Sequence, residues 1–500
     1  MVNINKRIDD FTVVVNAGTS LSDNSSDLLG YGGPIRDTGV PNVFNVFDLD
    51  NAKKRATQEG SEEMTQSIFA SAEIGWKSML YLTLTGRNDW ASQLKGSNPT
   101  SFFYPSVGLS AVISEMVTLP KAIDYLKVRG SFSSVGTPYP RFLVQPTYSY
   151  DPTKQDWNAK THYPIGKLKP ERTDSWEIGV DGTFFKDFKV SGSFYYANTY
   201  NQTFDPKITV SSGYSTLYVQ TGYVRNLGVE GLLSYGHTWR DFGWNSNFTF
   251  SWNKNKIVEL VKDYVHPETG EIVNKDRLEL KGLGYTKFIL KEGGTLGDLY
   301  TNADFIRDDK GYIQIDKNGD VAKTDNLPDI KLGSVFPKAN LAWNNSFSYK
   351  GIYAGFQLSA RLGGIVYSAT QAALDQYGVS EASAAARDRG GVLVNGRSWV
   401  NAQQYYEIVA TSSGLPQYYT YSATNLRLQE AHIGYTIPRK WLGNICDINV
   451  SVVGRNLWMI YCKAPFDPEA IATTNNFYQG IDYFMMPSTR NIGFNIKINF

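Results

Sequence analysis

Aromatic side chains next to amides and guanidinium groups are the residues in this chain best suited to do chemistry. Tyr377, Trp399, Tyr405, Tyr406, Tyr418 and Tyr419 fall within one Gly-rich stretch, 363–421, and Tyr148, Tyr150, Trp157 and Tyr163 fall within another. Rings of this kind stack on a sugar or a peptide while neighbouring Asn, Gln and Arg supply hydrogen bonds. They equally serve to pack loops onto each other or onto a partner. Trp157, Tyr377, Trp399, Tyr405, Tyr406, Tyr418 and Tyr419 are therefore the candidate substrate-binding residues.

Bond-making chemistry has no comparable support. His162, His237, His266 and His432 are scattered without ligand spacing, and neither Gly-x-Ser-x-Gly nor His-Glu-x-x-His occurs. The run Asp316-Lys317-Asn318-Gly319-Asp320, shortly after Asp308-Asp309-Lys310-Gly311, lacks the ligand register and closing Glu of an EF-hand, and two Asp/Gly turns explain it more simply. No catalytic residue, metal or cofactor is expected, and the chain is not expected to be an enzyme.

The elements that must carry these loops are strands. Asn491–Phe500 alternates without an error, with Ile492, Phe494, Ile496 and Ile498 on one face and Gly493, Asn495 and Lys497 on the other. In 244–253, Trp244, Phe248, Phe250 and Trp252 likewise oppose Asn245, Asn247, Thr249 and Asn253. Such runs reach about ten residues, the span of a tilted strand in a bilayer, whereas soluble strands average about five or six. About fourteen are expected, near 11–17, 62–74, 78–88, 102–114, 124–136, 172–184, 188–202, 223–238, 243–256, 335–348, 352–364, 423–436, 447–459 and 487–500. Tight turns such as Lys186-Asp187 and Tyr349-Lys350-Gly351 alternate with long polar segments, the asymmetry of an outer-membrane barrel. An even count places both chain ends on the turn side, in the periplasm. A soluble propeller or tandem sandwich is the alternative, disfavoured by strand length and the absence of a repeat.

Composition agrees. Lys and Arg total 49 against 48 Asp and Glu, so nothing favours nucleic acid as a partner. Aromatics make up 14% of residues, which suits interfacial girdles. Mean hydropathy is −0.32 and no apolar run approaches the roughly 20 residues of a spanning helix, so any span must be by strands. Cys446 and Cys462 bracket an extended run that holds them tens of ångströms apart, so both are expected unpaired. The amino-terminal residues lack the apolar core of a signal peptide.

Specific strings carry a resemblance. Arg87-Asn88-Asp89-Trp90, Phe103-Tyr104-Pro105-Ser106-Val107, Leu168-Lys169-Pro170-Glu171-Arg172-Thr173, Trp176-Glu177-Ile178-Gly179 and Asn226-Leu227-Gly228-Val229-Glu230 follow one another in order. Gly454-Arg455-Asn456-Leu457, Phe466-Asp467-Pro468-Glu469 and Pro487-x-x-Arg490 come after them. Together these resemble the SusC/RagA group of TonB-dependent outer-membrane transporters.

The resemblance implies an all-β fold, an antiparallel transmembrane β-barrel with short periplasmic turns and long extracellular loops, of which residues 1–500 are the carboxy-terminal portion, about fourteen of roughly 22 strands. It implies import of an oligosaccharide or similar nutrient, glycan or peptide, across the outer membrane of a Bacteroidetes-type bacterium. The partners it implies are a SusD-like surface lipoprotein, the TonB–ExbB–ExbD complex acting through a plug, and outer-membrane lipid. Plug and signal peptide are expected to be absent from this chain, whose open sheet would leave two unpaired edges. A barrel fragment displayed as an antigen or adhesin without transport is the rival reading.

Overall fold

The computed structural model describes residues 1–37, 43, 45–97, 100–138, 143, 149–151, 156–158, 169–204, 219–265, 270, 272–474 and 479–499. Among them, one antiparallel sheet of fifteen strands dominates. Its strands are β1 (Val2–Ile8), β2 (Phe11–Gly32), β3 (Arg55–Trp76), β4 (Leu80–Ala91), β5 (Phe102–Val112), β6 (Ile123–Thr137), β7 (Glu171–Phe184) and β8 (Phe188–Phe204). Then follow β9 (Val219–Trp239), β10 (Phe242–Glu259), β11 (Ala339–Tyr349), β12 (Ile352–Leu362), β13 (Asn425–Ile437), β14 (Asp447–Cys462) and β15 (Asn491–Asn499). Each pairs with its neighbours in chain order, and β1 and β15 form the two edges.

The additional strand relative to the sequence expectation is β1. Its outward positions are Val2, Ile4, Lys6 and Ile8, and Lys6 breaks the apolar alternation that marks the other strands. The odd count corrects the expected placement of the chain ends. Val2 pairs with Ala17, partway up the wall, and β1 descends from there to the turn rim, where residue 499 also lies, so only the far end of the sheet finishes at the turn side.

Hydrogen-bond register aligns the apolar faces into a belt. Reading across the sheet, Val13 is opposite Ile74, Ile74 opposite Leu82, Leu82 opposite Leu109, and Ile178 opposite Phe194. Farther along, Leu233 is opposite Phe248, Phe248 opposite Trp343, Ile433 opposite Val452, and Val452 opposite Phe494. These side chains stay outside the fold: Phe494 is 78% exposed and Ile178 61%. A continuous apolar outer surface of this kind is stable only against lipid.

Turns at one rim are tight because residues there adopt positive φ, the geometry whose twist matches a hairpin. Phe185 and Lys186 (φ 50° and 65°) close β7–β8, and Lys350 and Gly351 (φ 47° and 90°) close β11–β12. At the other rim, β2 and β3 remain paired along 22 residues, far beyond the segment expected from apolar alternation. That upper half, Leu21–Gly32 with Arg55–Gln66, is mostly polar, its few apolar side chains (Leu21, Leu28, Leu29 and Tyr31) are exposed, and it is held by the backbone ladder.

Three long connections at the loop rim fold together. Residues 260–338 include a four-stranded sheet (Arg277–Lys281, Lys287–Lys291, Asp298–Thr301, Ile330–Ser334). Residues 363–424 carry helices Ala369–Gln376, Glu381–Asp388 and Ala402–Val409, capped by Ser368, Ser380 and Asn401. Residues 463–490 contribute Ile481–Asp482, paired in parallel with Tyr367–Ser368. Their shared core includes Phe288, Leu299, Phe305, Val335, Tyr367, Leu415 and Ile481. What looked in the sequence like three loops is one folded module.

Candidate functional site: inner wall and rim module

The face opposite the apolar belt is polar. On β6 and β7, Arg129 donates from Nη1 to Asp181 Oδ2 at 2.6 Å and lies 3.4 Å from Glu177, while Ser191 Oγ donates to Asp181 Oδ1 at 2.6 Å. The guanidinium can lie flat because its cross-strand partner is Gly179, where a Cβ would stand 2.6 Å from Arg129 Cζ. Two cavities flank Arg129. One, about 370 Å³, is lined by Glu73, Tyr81, Lys127 and Glu177; the other, about 490 Å³, by Ser191, Ser193, Glu230, Thr249 and Ser251.

Higher on the wall, Arg87 Nε donates to Asp89 Oδ1 at 2.6 Å and Nη2 to Ser67 Oγ at 2.8 Å, while Tyr104 donates to Asp89 Oδ2 at 3.1 Å. Alternation explains the convergence: Arg87, Asp89 and Tyr104 are the inward members of two of the strings singled out in the sequence, while Trp90 and Phe103 point out. A cavity of about 580 Å³ opens beside them, also touching Phe69, Ser106 and Ser133.

The rim module divides the sequence candidates. Tyr419 is 4% exposed and donates to Asp375 Oδ2 at 3.0 Å, so it belongs to the module core. Tyr405 and Tyr406, edge to face with each other at 5.4 Å, pack against that core, and burial pushes the Tyr405 phenol up to about 12. The Tyr418 ring lies 5.2 Å from that of Phe305, inclined at 60°, its hydroxyl accepts from Arg307, and it keeps 40% of its surface in solvent. Tyr377 and Trp399 are fully presented, 75% and 57% exposed, Trp399 on a small hairpin opposite Leu393. Trp157 is exposed on its own hairpin, 5.3 Å from Tyr150. Tyr148, Tyr163, His162 and His266 lie outside the described residues.

Polar bonds tie the connections to each other. Asn395 and Ile313 exchange two hydrogen bonds, 2.8 and 2.9 Å, and Lys323 Nζ donates to the carbonyls of Ile408 and Ser413. Burial holds the Lys323 ammonium below the ordinary lysine range. The Asp308 and Asp316 carboxylates cap their own turns, each accepting two backbone N–H groups. Cys446 and Cys462 are both free thiols, and His237 pairs with Asp187 at 2.8 Å at the turn rim.

Residues 4–457 match the family described as TonB dependent receptor-like, beta-barrel. The chain belongs to that family. TonB-dependent receptor P3 of Formosa agariphila is 24% identical over 463 residues, 86% of this chain and 45% of that protein. TonB-dependent receptor SusC of Bacteroides thetaiotaomicron is 23% identical over 263 residues, 47% of this chain and 26% of that one. Among solved structures, the RagAB peptide importer in its closed-closed state superposes with a TM-score of 0.74 at 17% identity, covering 100% of this chain and 55% of that chain. The chain spans about half the length of the RagAB chain and of P3. TonB-dependent receptor barrels are outer-membrane proteins, receptors and transporters rather than enzymes, and the SusC/RagA resemblance read from the sequence stands.

Proposed function

We propose that this chain is the barrel portion of an energised outer-membrane importer of oligosaccharides or similar nutrients, the rest of which lies in further polypeptide that supplies a plug and the closing strands. The observation that carries this reading is the division of one sheet into a continuous apolar outer face and a charged, hydrogen-bonded inner face. A wall of that kind separates lipid from an aqueous passage. The rim module stands over the passage, and Trp157, Tyr377, Trp399 and Tyr418 offer aromatic surface where substrate arrives. A SusD-like lipoprotein would close over the module, and TonB–ExbB–ExbD would act through the plug. The fit is to relatives whose names include SusC and RagAB, the latter described as a peptide importer.

The test is uptake. Cells of the native strain should take up a fluorescently labelled oligosaccharide or peptide only when both this gene and tonB are intact. Equal uptake after deletion of the gene would refute the importer. The mass and amino-terminal sequence of the native outer-membrane species test the proposed extent: a species of about 500 residues would refute the missing plug.

A further inference from the structure

On the outward face of β7–β10 the apolar belt gives way to positive charge. Cross-strand register sets Trp176, Tyr196, Leu227 and Lys254 in one row, and Asp174, Asn198, Arg225 and Lys256 in the next row toward the loop rim, with Arg172 beyond them on β7. These residues share the face of Ile178, Phe194 and Phe248 because each strand repeats with period two. From Asp174 to the end of β7 at Phe184 is ten residues, and from Arg225 to the end of β9 at Trp239 is fourteen. A strand rising about 3.3 Å per residue and leaning about 40° puts the row roughly 25–35 Å above the turn rim, at the outer edge of the hydrocarbon layer.

Arg225 is positioned there without being neutralised. Its Cζ lies 5.1 Å from the centre of the Tyr196 ring and 5.5 Å from that of Tyr223, Nη2 donates to the Tyr223 hydroxyl at 2.6 Å, and Nε donates to Asn198 Oδ1 at 3.3 Å. Asn198, 9% exposed, also accepts from the Tyr223 hydroxyl at 3.0 Å. All these partners are neutral, and among the described residues Nη1 has none. Lys254 and Lys256 are exposed and likewise meet no carboxylate among the described residues. The nearby acids are engaged elsewhere, Asp174 with Arg172 at 2.8 Å and Glu259 with Lys262 at 3.7 Å. Such a surplus of charge is not general to the loop side, since the upper half of β2–β3 carries Asp23, Asp27, Glu59, Glu62 and Glu63.

We infer that this patch binds the anionic phosphate of an outer-leaflet lipid, with Arg225, Lys254 and Lys256 around the phosphate oxygens and Trp176, Tyr196 and Leu227 along the acyl chains below. A guanidinium fixed by neutral partners keeps its remaining N–H groups aimed and spends little side-chain entropy on a phosphate. Unpaired cations at the edge of hydrocarbon are costly, and an anion delivered by the lipid itself removes that cost. The occupant is a lipid because the patch continues the belt that lipid already covers, and because its charge is the complement of a phosphate.

The test takes the full-length protein, delipidated in dodecyl maltoside, and titrates it calorimetrically with dihexanoyl phosphatidic acid, dihexanoyl phosphatidylcholine and inorganic phosphate. Phosphatidic acid should bind, less tightly as salt is raised, and phosphatidylcholine at least about tenfold more weakly. The triple change Arg225→Gln, Lys254→Gln and Lys256→Gln should weaken phosphatidic acid at least about tenfold, whereas Lys77→Gln, Arg240→Gln and Lys350→Gln together, at the turn rim, should not. Heat-modifiable mobility reports whether each variant is folded. Lys254→Gln with Lys256→Gln, both at exposed positions, should give about a threefold to tenfold loss and stands in if the triple variant does not fold. Unchanged affinity in the patch variants, an equal loss in the turn-rim variant, equal affinity for the two lipids, or no binding of phosphatidic acid would overturn the site. Inorganic phosphate bound as tightly as phosphatidic acid, and lost with the same three residues, would overturn the lipid assignment in favour of a soluble anion.

Discussion

Arg427 and Asp467 meet through two parallel hydrogen bonds, 2.8 and 3.1 Å, with the arginine only 5% exposed. Glu469 approaches the same guanidinium at 3.2 Å and accepts from Asn425 Nδ2 at 3.3 Å. Phe466-Asp467-Pro468-Glu469, one of the strings recognised in the sequence, is thus the clamp that holds residues 463–490 to the top of β13. Those residues in turn bring Ile481 and Asp482 into the rim module, where Ser368 and Thr370 donate to the Asp482 carboxylate.

Removing Asp467 takes the bidentate partner from a buried guanidinium and leaves it Glu469 and the Asn425 amide oxygen. Asp467→Leu should destabilise the attachment by about 1.5–3 kcal/mol, the loss of hydrogen bonds to a charged group, and make residues 463–490 the first site of protease cleavage in intact cells. The double change Arg427→Met with Asp467→Leu should recover part of the loss, because no buried guanidinium then depends on the half-exposed Glu469 alone. A cleavage pattern that does not change in the single variant would show that the clamp contributes nothing.

Acid should open the same clamp late. Burial raises the Asp467 pKa, but hydrogen bonds from Arg427 and the Glu469 backbone N–H, with the arginine charge, outweigh it and hold the carboxyl below its ordinary range. A depressed carboxyl pKa adds stability that is complete above the unfolded value, about 3.9, and is lost as pH falls through the folded value. Protease resistance of residues 463–490 should therefore persist to pH values below about 4 and fall beneath that. Loss near pH 6 would place the control on another group.

Burial separates two of the aromatic candidates that the sequence treated alike. Tyr419→Phe deprives the buried Asp375 carboxylate of one of its donors, leaving Gln371 Nε2 at 3.0 Å, and should cost the module about 1–3 kcal/mol. Trp399→Ala, on an exposed hairpin, should change stability by no more than about 0.5 kcal/mol while weakening substrate capture. Thermal unfolding and uptake measured on both variants check this. A Trp399→Ala protein with full uptake would remove that ring from the substrate path.

What the sequence could and could not show follows from which interactions are local. Inward and outward faces of strands such as β10 and β15 were legible because period two is written into consecutive residues. The upper half of the β2–β3 hairpin was not, since mostly polar residues with a few irregularly placed apolar ones leave a strand that only its backbone pairing reveals. The rim module was hidden for another reason. Its core joins Phe288, Tyr367, Leu415 and Ile481, which come from three connections and share no period. Exposure of an individual tyrosine in that module depends on those distant contacts, so Tyr419 and Tyr377 read identically in the chain.

Phe494 and Ile496 test the orientation of the whole wall. Both stand on the outward face of β15, 78% and 56% exposed, in register with Val452 and Val450 of β14. Near the middle of the bilayer an arginine on that face costs about 2–4 kcal/mol, because the guanidinium must be carried into hydrocarbon, whereas a lumen-facing position between them keeps its charge in water. Phe494→Arg should therefore lower folding stability in lipid vesicles by that amount in a urea titration of the full-length protein. Asn495→Arg, one residue away and inward, should leave it within about 0.5 kcal/mol. The opposite ranking would mean that the apolar belt faces the passage and that the polar face meets lipid, and the charged contacts of Arg129 and Arg87 would then require another account.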